Sequence, residues 1–74
     1  MSRRIITVSS PTYATKGARI LSKSGIPARV THLHASQTLR GCTSGVEIRP
    51  PDEGRALDTL SAAGIPVTGV VILG

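Results

Sequence analysis

One seven-residue phrase occurs twice in the chain, and it constrains the fold more than any other feature. Residues 21–27 read Leu-Ser-Lys-Ser-Gly-Ile-Pro, and residues 60–66 read Leu-Ser-Ala-Ala-Gly-Ile-Pro. A glycine at the end of a helix can adopt the positive φ that terminates it, and a proline can open a strand where no ladder hydrogen bond is needed. The repeat therefore predicts two similar halves, each with a helix that leads into a strand.

The first half predicts the order strand, helix, strand. Residues 4–9 are rich in β-branched side chains, which favours a strand. Ser10 followed by Pro11 is typical of a helix start, and Gly25 of a helix end. An apolar stripe at helical spacing lies between them, formed by Ala14, Ala18 and Leu21. Residues 26–33 then alternate between apolar and polar side chains, which predicts a second strand.

The second half predicts the same order after a long connection. Residues 34–44 form a loop that is long for a simple hairpin, which is typical of a functional loop. A short strand over 46–49 follows, and Asp52 is predicted to cap the second helix. The apolar stripe of that helix is Ala56, Leu57, Leu60 and Ala63. Gly64 ends the helix, and residues 67–73 form a continuous apolar strand.

The order βαββαβ predicts an α+β fold, the ferredoxin-like sandwich, as a single domain over residues 1–74. Right-handed crossovers give a four-stranded antiparallel sheet with two helices on one face. The opposite face then carries Thr7, Arg29, Thr31, Glu47 and Arg49. That face could bind a ligand, pair with another subunit, or simply face water.

Charge is unevenly distributed along the chain. Residues 1–46 contain seven Lys and Arg and no acid, whereas residues 47–74 contain two Arg and all four acids. The basic side of the first helix predicts a docking surface for an acidic partner protein, formed by Lys16, Arg19 and Lys23. The alternative is a solvated face that keeps a small protein soluble.

Nucleic acid and membranes are not the expected partners. The only aromatic residue is Tyr13, so the sheet lacks the stacking side chains of ferredoxin-like RNA-binding domains. Electrostatic, sequence-independent binding of nucleic acid remains a third alternative. A single cysteine gives no disulfide framework, and no signal peptide or apolar run of membrane-spanning length is evident. A cytoplasmic protein is therefore expected.

Cys42 is the one residue with obvious nucleophilic chemistry. Arg40 would favour its thiolate and lower the pKa of the thiol. The small and polar neighbours that would admit a cargo or an anion are Gly41, Thr43, Ser44 and Gly45. A persulfide, a selenide or a mixed disulfide would need such an exposed, anionic sulfur. The alternative is that Cys42 is a small hydrophobic residue that happens to fall in a loop.

His32 and His34 are weak candidates for metal ligands together with Cys42. Their spacing matches no established ligand pattern and a fourth ligand is missing, so no metal and no cofactor are predicted. One of the two histidines could instead act as a base toward Cys42, although no Asn or Asp is placed to orient it.

The chain resembles a small bacterial family of selenium/sulfur carrier-like proteins. The matching pieces are residues 24–27, the loop 36–42 with its single cysteine, and the segments 45–48, 51–52 and 63–65. The family places glycine directly after the cysteine, whereas here Thr43 and Ser44 come before Gly45. This difference shifts the thiol relative to the following strand.

The resemblance implies a carrier or accessory protein more than an enzyme. Cys42 would transiently hold sulfur or selenium for a partner enzyme of sulfur, selenium or redox metabolism. The alternative is a regulatory or assembly module that acts through its open sheet face or edge strands, for example as a homodimer. That alternative predicts a function that is indifferent to Cys42 but sensitive to a charge at a sheet position such as Thr31.

Overall fold

The structure, a computed structural model, describes residues 3–33 and 43–73. Its elements are β1 (Arg3–Val8), α1 (Pro11–Lys23), β2 (Ala28–Leu33), β3 (Thr43–Ile48), a 3-10 turn (Pro50–Asp52), α2 (Glu53–Ala62) and β4 (Val67–Leu73). The strands form one sheet in the order β2-β3-β1-β4, and every neighbouring pair is antiparallel. This is the ferredoxin-like arrangement, so the predicted α+β fold is confirmed.

Both helices pack on the same face of the sheet, as predicted. The core combines residues of α1, α2 and the strands between them, namely Ile6, Val8, Ala14, Ala18, Leu21, Val46, Ile48, Ala56 and Leu60, with Ile26 and Ile65 from the turns. Leu21 and Leu60 are fully buried. Truncating a leucine in such a position to alanine costs about 2–5 kcal/mol, so this aliphatic layer is the main source of stability in a chain with one aromatic residue.

The repeated phrase forms the same helix end twice. Gly25 has φ 80° and Gly64 has φ 77°, both in the left-handed region that glycine adopts without strain. The N–H of Ile26 donates to the carbonyl of Leu21 at 2.9 Å, and the N–H of Ile65 donates to the carbonyl of Leu60 at 3.0 Å. These are Schellman-type bonds that satisfy the last helical carbonyls. The prediction from the repeat is confirmed.

The predicted boundaries of two strands were wrong. β3 begins at Thr43, three residues before the predicted start, and β2 begins at Ala28, two residues after it. β3 is an inner strand, and Ser44 pairs with Val8 on one side and with His32 on the other. Hydrogen-bonding partners on both sides extend the strand through a Thr-Ser-Gly sequence that has turn-like composition by itself.

Two predictions about α2 also need correction. Asp52 lies at the N-cap position, but its side chain makes no capping hydrogen bond, because the preceding 3-10 turn places its backbone at φ −93°, ψ −2° instead of in the extended region. Its carboxylate binds Arg49 instead. Ala63 is exposed and does not belong to the apolar stripe, since the helix ends at Ala62.

The face opposite the helices, called the far face below, includes Arg3, Ile5, Thr7, Arg29, Thr31, Leu33, Gly45, Glu47, Gly69 and Val71. It includes four of the five residues that the sequence placed there. The fifth, Arg49, was wrongly assigned, because β3 ends at Ile48 and Arg49 precedes the 3-10 turn. The residues of the far face differ in solvent exposure: Ile5 and Thr7 are buried, whereas Arg29 is exposed and Glu47 is half-buried. Its charged residues therefore cluster toward one end of the sheet.

The sheet has two ends, called the Ser44 end and the arginine end below. At the Ser44 end, β1 and β2 finish at Val8 and Leu33 and β3 begins. At the arginine end, β1 and β2 start and β3 finishes at Ile48. Four residues of extended chain, about 3.4 Å each, separate Ser44 from Ile48, so the two ends are about 14 Å apart along β3.

Candidate functional site

The loop predicted to carry the chemistry falls largely outside the described residues. Arg40, Gly41, Cys42 and His34 all lie there, and their predicted roles stay predictions. Thr43, Ser44 and Gly45 are described, and they are residues of β3. Their predicted role in binding a cargo or an anion also stays a prediction.

The Ser44 end fixes the two residues to which the 34–42 segment is joined. Leu33 is the last residue of β2 and Thr43 the first of β3, and they are partners in the antiparallel ladder. Thr43 is the sequence neighbour of Cys42. The described strands thus define where the segment that contains Cys42 is attached to the fold, at the end of the β2–β3 ladder.

His32 and Ser44 are partners across that ladder, and their side chains are hydrogen-bonded. His32 Nδ1 lies 3.2 Å from Ser44 Oγ, and which atom donates depends on the histidine tautomer. Ser44 is 6% exposed, whereas His32 is on the surface. The sequence singled out both residues separately but gave no signal for their pairing, because register is set by long-range strand contacts. The hydroxyl can orient the imidazole, the role for which no Asn or Asp was found.

Gly45 has a structural reason to be glycine. A Cβ at this position would lie 2.7 Å from the carbonyl oxygen of Ile6 and 2.7 Å from Cγ2 of Ile5. Real Cβ atoms do not approach a backbone oxygen so closely, so the close packing of β1 against β3 requires the missing side chain. The sequence indicated only a role for Gly45 in access to the thiol and gave no sign of this packing role.

The first turn of α1 lies at the same end of the sheet. β1 finishes at Val8, which pairs with Ser44, and α1 begins three residues later at Pro11. Ser10 caps the helix by accepting a hydrogen bond of 3.4 Å from the N–H of Tyr13. The first turn contains no acidic side chain, so no carboxylate there offsets the partial positive charge of the helix N-terminus. The helix start was predicted, but its place beside the Ser44 end was not.

The basic residues of α1 form one exposed surface, called the α1 basic face below. Lys16, Arg19 and Lys23 all face solvent. Seven residues at 1.5 Å each place Lys16 and Lys23 about 10 Å apart along the helix axis. Their predicted role in docking a partner stays a prediction.

The arginine end holds the ion pairs of the described residues. Arg3 binds the carboxylate of Glu47 with two hydrogen bonds, Nη2 to Oε1 at 2.8 Å and Nε to Oε2 at 2.9 Å. This bond is the largest cause of a lowered pKa at Glu47, the charge of Arg29 adds to it, and burial opposes it. The same contact raises the pKa of Arg3. The other pairs are Arg4–Glu53, Arg49–Asp52 and Arg55–Asp52.

Two further observations concern metals and membranes. Within residues 3–33 and 43–73, no three or more His, Cys, Asp or Glu side chains come together as a metal-binding group. The weak metal candidate made of His32, His34 and Cys42 has only His32 inside the described residues. Neither described helix has the length and apolar character needed to cross a membrane.

These features define a small α+β protein of ferredoxin-like topology with one cysteine next to the start of an inner strand. Comparison with known families gives a more specific result. The family model described as "Putative Se/S carrier protein-like" matches residues 3–72, which is nearly the whole chain, and the chain belongs to this family. Neither the curated proteins nor the solved structures yield a match.

Proposed function

We propose that this protein is a thiol carrier of the reducing cytoplasm that holds sulfur or selenium on Cys42 for a partner enzyme. The observation that carries the proposal is the family match over residues 3–72 in a chain whose only cysteine is Cys42. The family description gives the class of cargo. The specific chemistry that follows is inferred from the residues.

The simplest loading step exchanges one sulfur–sulfur bond for another. The Cys42 thiolate attacks the outer sulfur of a persulfide on the donor enzyme. A new S–S bond forms on Cys42, the S–S bond of the donor breaks, and the donor cysteine leaves as a thiolate. No external oxidant or reductant is needed, because the persulfide sulfur keeps its oxidation state. A selenium cargo would be held in the same way through an S–Se bond.

Electrostatics at the Ser44 end favour a thiolate. Three of the four acids in the chain, Glu47, Asp52 and Glu53, form ion pairs at the arginine end. The N-terminus of α1 lies at the Ser44 end, where its partial positive charge would stabilise an anion. The C-terminus of α2 leads into Val67, the partner of Val8, and brings a partial negative charge to the same end, so the support comes mainly from the placement of the carboxylates. The fold therefore keeps most of its carboxylates away from the end that bears Cys42.

His32 is the candidate base that lies within the described residues, and its ladder partner Ser44 is two positions after Cys42 in the chain. It is exposed, it lies next to Leu33 at the end of β2, and Ser44 holds its Nδ1. Under this proposal His32 takes the proton from the Cys42 thiol before attack. Since it acts on the thiol and not on the cargo, its loss should slow loading without abolishing it.

The α1 basic face is the proposed docking surface for the donor or acceptor enzyme. Its three cations come from a helix with no acidic residue, so they would attract a complementary acidic patch. The expected signature is a transfer rate that falls as salt is raised. Charge reversal at Arg19 should lower the same rate without changing the intrinsic reactivity of Cys42.

The experiment that tests the prerequisite of this function is alkylation of Cys42 across pH. The rate is followed by intact mass for the folded chain and, as the matched control, for the same chain unfolded in urea. We expect the folded chain to keep a reactive thiolate well below the ordinary cysteine pKa of about 8.5. If the folded and unfolded chains show the same pH dependence, the fold does not activate Cys42 and the proposal is wrong.

A second candidate function, assembly through β4, is favoured by a separate observation. Ile72 is 62% exposed and Val70 is 37% exposed, and β4 is an edge strand without a charged residue. The other edge strand, β2, carries Arg29 and His32, which are the kind of side chains that prevent edge pairing. Such a module would function independently of Cys42.

Light scattering separates the two functions. Assembly through β4 predicts a dimer that Val70→Lys converts to a monomer. A wild-type monomer at high concentration would exclude assembly, whereas the carrier function does not depend on the oligomeric state. The same measurement on Thr31→Lys distinguishes pairing through the far face from pairing through the β4 edge.

A further inference from the structure

A pocket at the arginine end has no role in the function proposed above. It is an open cleft of about 510 Å³, which is within the size range of small-molecule sites. Its polar lining comes from Arg3, Arg29, Glu47 and Arg49. Its apolar lining includes Pro27, Ala28 and Pro50. The pocket thus combines several arginines with an apolar wall.

The single carboxylate in the lining is already engaged. Glu47 receives both of its short hydrogen bonds from Arg3. This bidentate pair fixes the guanidinium plane of Arg3 at one side of the pocket. The N–H groups of Arg3 that are not directed at Glu47 remain available to a ligand, because a guanidinium carries five donors.

The other two arginines supply positive charge that the lining does not compensate. Arg29 lies directly across the β2–β3 ladder from Glu47 and makes no hydrogen bond or ion pair within the described part of the chain. Arg49 directs its Nε to Asp52 at 2.9 Å and is 64% exposed, which leaves its terminal nitrogens toward solvent. The lining contains three arginines and one glutamate, so its net charge is +2. Asp52 lies outside the lining and offsets one of these charges through its ion pair with Arg49.

The charge and the geometry favour a phosphate group over a carboxylate. A phosphate monoester carries about −1.5 to −2 charge near neutral pH and offers three terminal oxygens. Guanidinium groups bind such oxygens in pairs, and arginines from two strands and a following loop approach the cleft from different sides. The prolines and Ala28 would contact an apolar or ring-shaped body attached to the phosphate.

We propose that this pocket binds a small phosphate monoester with an apolar or ring body, through Arg29, Arg49 and the free donors of Arg3. The site lies at the opposite end of β3 from the attachment point of Cys42. It is therefore a ligand site independent of the thiol chemistry, and it does not rest on the carrier function.

The test is calorimetric titration of the wild-type chain with phenyl phosphate, with inorganic phosphate and phenol as paired probes. We expect phenyl phosphate to bind saturably and more tightly than either probe alone, and to weaken as salt is raised. Backbone amide shifts measured by NMR should cluster at Ala28, Arg29 and Glu47. Equal affinity for phenyl phosphate and inorganic phosphate would overturn the role of the apolar wall, and the absence of saturable binding would overturn the site.

Two arginine variants provide a matched comparison. Arg29→Ala removes one guanidinium of the pocket and should weaken phenyl phosphate binding by about tenfold or more, the usual effect of losing a hydrogen bond to a charged group. Arg19→Ala removes an exposed arginine from the α1 basic face, and the affinity should stay unchanged. Equal losses in both variants would show binding to the net positive charge alone, which contradicts a specific site.

Glu47→Gln gives a prediction with the opposite sign. The substitution removes the only negative charge of the lining and weakens the hold on Arg3, so phenyl phosphate should bind several-fold more tightly. Tighter binding cannot be caused by partial unfolding of the variant. An unchanged or weaker affinity in a variant with a native NMR spectrum would contradict the proposed arrangement. Cys42→Ser should bind as the wild type does, whatever the outcome for sulfur transfer.

Discussion

The two ends of the sheet differ in their charged side chains and in the ion pairs that these form. The arginine end contains the four ion pairs of the described residues. In these pairs the carboxylates of Glu47, Asp52 and Glu53 bind arginines. The Ser44 end, as far as the structure describes it, has no ion pair; its side-chain hydrogen bonds between strands join His32 to Ser44 and Thr7 to Thr68. Three of the four acids in the chain therefore lie at the opposite end of the sheet from Thr43, the residue that follows Cys42.

This difference has a consequence for each end. A thiolate is destabilised by nearby carboxylates, and the described residues of the Ser44 end form no ion pair with a carboxylate. The arginine end retains excess positive charge beside an apolar wall, which suits binding of an anion rather than covalent chemistry. The comparison predicts that substitutions at one end leave the chemistry of the other end unchanged.

Among the substitutions that probe the two ends of the sheet, the largest effect on stability is expected for Gly45→Ala. The added Cβ would lie 2.7 Å from the carbonyl oxygen of Ile6, so β3 must move away from β1. Overpacking of this kind costs about 1–3 kcal/mol, and a rigid backbone atom places the cost at the upper end. Urea denaturation measures the change in the free energy of unfolding.

The matched control for that variant is Gly54→Ala, in the first turn of α2. A Cβ there meets nothing within 4 Å and the glycine does not have positive φ, so alanine should stabilise the helix by about 0.4–1 kcal/mol. If Gly45→Ala is as stable as the wild type, the described register between β1 and β3 is wrong.

An intermediate effect is expected for Ser44→Ala. The substitution removes the hydroxyl that lies 3.2 Å from His32 Nδ1, and we expect a loss of about 0.5–1.5 kcal/mol. Thr59→Ala is the control, because its hydroxyl bonds a carbonyl of its own helix on the surface and should change stability by less than about 0.5 kcal/mol. Alkylation of Cys42 should also slow in the Ser44 variant and not in the control.

The smallest effect concerns Glu47 and depends on pH. Its pKa in the folded state is lowered, chiefly by the hydrogen bond from Arg3. The stabilisation is therefore fully present above the ordinary glutamate pKa of about 4.3 and is lost as pH falls through the lower folded-state value. The wild type should be slightly more stable than Glu47→Gln at pH 7, with a smaller difference than for Ser44→Ala.

Urea denaturation at several pH values checks this sign. The difference between the wild type and Glu47→Gln should shrink as the pH falls below about 4. A difference that stays constant or grows in acid would show that the Arg3–Glu47 pair does not stabilise the ionised carboxylate. Cys42 alkylation should be unchanged in this variant, because the substitution lies at the other end.

Much of the fold could be predicted from the sequence because its signals are local. Gly25 and Gly64 end helices through their own backbone conformation, and the Ser10–Pro11 pair starts one through its cap. The start of β3 could not be predicted, because Ser44 is a strand residue only through its partners Val8 and His32. The same long-range pairing produces the His32–Ser44 contact and the close approach at Gly45.

The site could be predicted only as a set of residue types. The sequence offered Cys42 as a candidate nucleophile and His32 or His34 as a candidate base, and these stay predictions; it gave no sign of the separation of charge between the two ends. Arg3 and Glu47 are 44 positions apart in the chain, and only the sheet brings their side chains together. No motif or residue spacing in the sequence therefore indicates the pocket beside them.

The most direct test of the carrier function is sulfur loading of the intact chain. The wild type and Cys42→Ser are incubated with a low-molecular-weight persulfide, and the products are separated from the donor and examined by intact mass. The carrier function predicts that the wild type gains the mass of one sulfur atom, releases it to an added acceptor thiol, and that Cys42→Ser gains nothing. A wild type that gains no sulfur, or a serine variant that gains as much, would contradict it.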